Sequence, residues 1–140
     1  MKRLFLIGFC FFFSASLHAD IIEIPEAIKK TFEELFPKVK MVKWDNAEGN
    51  RFEAGFVLNG KDVVAVFMPD GTFTEIETPI QSNELPLRVL KSIQKKFPLC
   101  KVTYAMKIQR ANDVIVYDLE VDTGAESLDI TLDSYGFEVF

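Results

Sequence analysis

The chain has 140 residues, with 21 acidic against 16 basic side chains and a formal charge of −5. That balance argues against nucleic acid and anionic membrane surfaces as partners. The length suits one compact domain or two small lobes that pack together.

Lys2 and Arg3, the apolar run Leu4 to Phe13 and the small residues up to Ala19 have the order of a secretory signal peptide, cut after Ala19. The apolar run is shorter than the ~20 residues of a spanning helix, so no stable membrane insertion is expected after cleavage. The leader carries two basic and no acidic residues, which leaves residues 20–140 with a formal charge of −7. It also carries His18, the sole histidine, and Cys10, which leaves Cys100 as the single remaining cysteine. A Ser-His-Asp or Cys-His arrangement and a His-ligated zinc site then have no histidine to use. An internal disulfide has no second cysteine, and no cofactor-binding motif is present.

Ile24-Pro25 opens a helical pattern that ends at Phe36-Pro37. Ile28, Phe32, Leu35 and Phe36 form one apolar stripe, with Lys29, Lys30, Glu33 and Glu34 opposite. Strands are predicted at 39–45, 51–58, 61–68 and 72–77. Asn59-Gly60 is a two-residue hairpin loop, and Asp70-Gly71 makes the last turn. Ser82, Asn83 and Glu84 form a polar linker and a predicted N-cap for a second helix. Leu85-Pro86 opens that helix and Phe97-Pro98 stops it, with Val89, Ile93 and Phe97 on its stripe. Strands at 100–107, 114–122, 126–133 and 137–140 follow, with turns at Thr123-Gly124 and Tyr135-Gly136.

The predicted fold class is therefore α+β. It consists of two tandem repeats, residues 20–79 and 80–140, each one helix followed by a four-stranded antiparallel meander with the helix on one sheet face. The Leu/Ile-Pro openings, the Phe-Pro helix stops, Phe52-Glu53-Ala54, Tyr117-Asp118-Leu119 and the final x-Gly turns resemble the PepSY-like family, described as β-lactamase-inhibitor-like. The resemblance extends over nearly all of residues 20–140. It implies a secreted or periplasmic bacterial protein, and its namesake fold inhibits an enzyme through a sheet face.

Strand alternation separates helix-facing from outward residues. In the second half, Asp118, Glu120, Asp122, Asp129 and Asp133 point outward and make an acidic face. Those carboxylates lie on flat strands, without the Asp-rich loop of a calcium site, and are read as a solvated surface with no metal. In the first half the outward set is apolar: Val42, Trp44, Val57, Val64, Val66 and Met68. A grouped apolar face with a Trp and a Met is the form of a partner-binding patch. The expectation is a non-enzymatic, exported binding module that uses this face against another exported protein, for example as an inhibitor. The alternative is a periplasmic carrier that closes the face over a small ligand.

Overall fold

The computed structural model describes residues 22–139; the predicted leader lies outside them. Helix α1 (Glu26–Leu35) is followed by β1 (Lys43–Ala47), β2 (Arg51–Leu58), β3 (Lys61–Phe67) and β4 (Phe73–Pro79). A 3-10 turn at Ser82–Glu84 leads into α2 (Leu87–Lys96), then β5 (Lys101–Arg110), β6 (Ile115–Asp122) and β7 (Ser127–Asp133). The seven strands form one antiparallel sheet in the order β1 to β7.

This sheet overturns the expected pair of helix-plus-four-strand repeats. The class remains α+β, with two helices on one sheet face. The meander does not stop at β4, however, because Glu75 to Pro79 pairs with Met106 to Arg110 and makes a single continuous sheet. The eighth expected strand is reduced to one bridge, Leu132 with Glu138. Ser82 does not cap α2. The residue before the helix is Pro86, and Glu84 instead accepts the backbone N–H of Gln81 at 2.8 Å and the Lys61 ammonium at 2.6 Å.

Both helices bury their apolar stripes on the same side of the sheet. Ile28 and Phe32 of α1 pack with Ala54, Phe56, Val63, Ala65 and Phe67. Val89 and Ile93 of α2 pack with Ala105, Tyr117, Leu119, Val121 and Leu132. The register carries one parity across the join. Ile76, at the margin of the first core, is opposite Gln109, and Gln109 is opposite Ile115, at the margin of the second. The other face of the sheet is covered by no helix among the described residues.

The Asp70-Gly71 and Tyr135-Gly136 turns lock onto the helices. Gly71 has φ +91°, and a Cβ there would stand 2.8 Å from the Ala27 carbonyl oxygen of α1. Gly136 has φ +90°, and a Cβ there would stand 2.9 Å from the Arg88 carbonyl oxygen of α2. Ser92 also donates to the Gly136 carbonyl at 2.6 Å. Gly71→Ala combines a left-handed backbone with a backbone clash, so it should cost about 2–4 kcal/mol in urea unfolding. Gly60→Ala is the control. Its φ is also positive, but no atom lies within 4 Å of the added Cβ, so its loss should be about 1 kcal/mol. Equal losses at the two positions would refute the close-packing argument.

Candidate functional site

The register assigns the helix-free face residue by residue. Asp45, Glu53, Val66, Glu75 and Arg110 make one row across β1 to β5. Lys43, Gly55, Val64, Glu77, Ile108 and Val116 make the next, across β1 to β6. Val57 and Asp62 lie beyond these on β2 and β3, and Met106, Asp118 and Thr131 on β5 to β7. Tyr104, Glu120 and Asp129 complete the far corner. Tyr104 follows Met106 and Ile108 on this face by simple alternation, and the bulge between Val102 and Tyr104 turns Val102 to the helix side.

Of the six residues expected outward, the structure brings Val57, Val64 and Val66 together on this face, while Met68 is exposed beyond the end of β3. Val42 and Trp44 are on the opposite side. Trp44 pairs with the buried Ala54, and its ring centroid stands 5.3 Å from that of Phe32 in the helix-side core. Val42 packs against the same core. The reason is the register of β1. Ala47 pairs with Arg51 across a three-residue turn, so every β1 side chain takes its side from β2. That puts Lys43 and Asp45 outward and Trp44 inward.

Val57 is 61% exposed, whereas Val66 is 1% exposed although no helix covers it. Charged side chains shield Val66. Glu53 and Glu75 flank it on the neighbouring strands, and the Arg51 guanidinium reaches from β2 to Glu75 on β4 at 3.7 Å, across β3. Arg110 approaches Glu75 from the other side at 3.9 Å. Ile108 and Val116 are likewise buried on this face. The centre of the face is thus apolar ground overlaid by carboxylates and two arginines.

Glu77 occupies that centre, directly between Val64 and Ile108. Burial, then the nearby Glu75, Glu53 and Asp118, push its carboxyl up to about 7, and Arg51 offsets only part of this. Glu53 is also raised, by burial and then by Asp45, with Arg51 opposing. Asp118 is raised by burial, against a hydrogen bond from Thr131 at 2.6 Å and the pull of Arg110. Tyr104 is raised by burial, with Glu77 and Asp118 adding to it. These groups form one electrostatic unit in which negative charge is under-compensated.

Among the described residues, no three acidic, cysteine or histidine side chains converge on a point that could hold a metal. Cys100 is half-buried at the margin of the second core, away from this unit. The arrangement therefore supplies a broad apolar and anionic surface, without a metal-ligand cage among the described residues. Glu77, Ile108, Met106 and the two arginines were absent from the patch expected from the sequence. The Glu75-Ile76-Glu77 alternation was the available signal, and it gains its meaning only once β4 is known to pair with β5.

The family described as "Putative beta-lactamase-inhibitor-like, PepSY-like" matches residues 50–137, and the chain belongs to this PepSY-like family. Among solved structures, it is similar to a "putative periplasmic" protein from Bacteroides eggerthii at 18% identity and TM-score 0.75, covering 85% of this chain and 88% of that one. A DUF2874 family protein from Bacteroides ovatus gives 16% identity and TM-score 0.76, with 85% and 86% covered. A BLIP-like protein from Bacteroides fragilis gives 19% identity and TM-score 0.72, with 86% of each chain covered. At these identities the likeness establishes the fold. No curated protein matches the chain.

Proposed function

We propose that this protein is an exported, non-enzymatic binding module that docks another exported protein on the helix-free face of its sheet. One observation carries the reading: a whole face of a seven-stranded sheet has apolar side chains at its centre and no described element over it. An antiparallel sheet can leave one face to water, but apolar side chains grouped on such a face favour association, and Val57, Val64 and Met106 supply accessible ones here. The signal-like leader and the periplasmic description of the Bacteroides eggerthii relative support export. The BLIP-like description of the Bacteroides fragilis relative supports inhibition of an enzyme as the form that docking takes.

Site-specific photocrosslinking tests the face. A benzophenone side chain placed at Val57 or Val64 should yield a discrete protein adduct when the full chain is exported in a bacterial host. The same group at Lys91, on the exposed side of α2, should yield none. Adducts from Lys91 alone, or from no position, would refute docking by this face.

A further inference from the structure

The helix-free face also carries a charge that narrows what can sit on it. Around its centre, Glu53, Glu75, Glu77 and Asp118 are met by Arg51 and Arg110, both engaged by Glu75, while Lys43 stands on the edge strand β1, three strands from Glu77. Toward β7 the acidity continues through Glu120 and Asp129. A partner that buried this surface with neutral side chains alone would strip water from Glu77 and hold it in its protonated form, whereas a cation would favour the ionised carboxylate and gain a charge-assisted contact with it. A small cation is a poor occupant, because the carboxylates are spread along strands and do not converge. A second copy applying the same face would set acid against acid.

On the reading that this face docks a protein, we propose that the partner presents a lysine or arginine flanked by apolar side chains, the cation lying over Glu77 between Val64 and Ile108. The flanking apolar groups would rest on the accessible Val57, Val64 and Met106. The cation would complete the compensation that Arg51 leaves unfinished. The rival source of such a cation is this chain's own α2, whose Arg88, Lys91 and Lys95 are exposed and which has no acidic residue.

The test is selection of a random peptide library displayed on phage against the full-length protein. Enriched sequences should carry a Lys or Arg between apolar residues. A synthetic peptide of the leading sequence should bind about tenfold or more weakly to Glu77→Gln, and as weakly to the native protein once its cation is replaced by norleucine. Its affinity should also fall between about 0.05 and about 0.5 M NaCl. Glu77→Gln removes a buried charge without changing shape, so lost binding cannot be ascribed to lost folding, and urea unfolding of the same sample verifies this. Enriched peptides that lack a cation yet perturb the amide resonances of Val64 and Ile108 would overturn the cation and leave the docking face standing. No enrichment, or peptides that perturb only the helix side, would overturn both. Self-association in sedimentation velocity that is abolished by Lys91→Glu with Lys95→Glu would make α2 of a second copy the occupant and overturn the separate partner.

Discussion

Phe32→Ala should be the most damaging single truncation in the α1 half, costing about 3–5 kcal/mol in urea unfolding. Phe32 is 5% exposed and holds the first core together from above the sheet. Its ring lies 5.3 Å from Phe36, 5.3 Å from Trp44, 5.2 Å from Phe56 and 6.3 Å from Phe67. Removing it takes away the transfer energy of a large aromatic and leaves a hole bounded by four rings that cannot close together. With total stabilities of domains usually about 5–15 kcal/mol, such a loss brings the variant close to its unfolding midpoint in mild denaturant. Trp44 is the only tryptophan and abuts the hole, so its emission should shift to the red in the variant before any urea is added. A loss under about 1 kcal/mol with unchanged emission would show that Phe32 is not the centre of this cluster.

Glu77→Gln should act in the opposite direction, and only at high pH. The folded carboxyl titrates at about 7 against 4.5 as the unperturbed value. Between those two pH values the folded protein holds a proton that the unfolded chain has released, so the stability owed to this group falls as pH rises. Below pH 4.5 both states are protonated and the penalty vanishes; above pH 7 the full cost of the buried anion is present. The shift corresponds to roughly 3 kcal/mol, an upper figure because the carboxyl keeps some contact with water. The glutamine variant should therefore be about 1–3 kcal/mol more stable than the native protein at pH 8 and indistinguishable from it at pH 4. Glu53 and Asp118 are raised as well, so their contributions to the native protein's stability also decline with rising pH. Equal stability of the two proteins at pH 8 would show that Glu77 is solvated like a surface carboxylate.

The helices and most strands were legible because local chemistry decides them. The Pro pairs bracket α1 and α2 within a residue, and Asn59 and Gly60 adopt the positive φ values, 52° and 78°, that their types favour. What the sequence withheld is long-range. Nothing between Glu75 and Pro79 states that its partner lies about thirty residues on, beyond a helix, and that pairing joins the two expected meanders into one seven-stranded sheet. The side taken by Trp44 was lost for a related reason. Set by strand parity in the outward group with Val42 it points out, whereas its own neighbours Lys43 and Asp45 already mark it as inward. Val66 lies on the helix-free face, but its shielding by Arg51 and Glu75 is a cross-strand event that no periodicity encodes. Glu77 escaped notice because a lone glutamate in an alternating strand is ordinary until three more carboxylates are brought beside it.

The pairing of β4 with β5 is the seam between two hydrophobic clusters whose buried members do not overlap. Such a molecule should open in stages. In native-state hydrogen exchange, amides of β1 to β3 with α1 and those of β6 and β7 with α2 should fall into two foldons of unequal protection. The amides that bridge Ile76 and Gln109 would then exchange with whichever half yields first, and that half sets how long the helix-free face persists as a single surface.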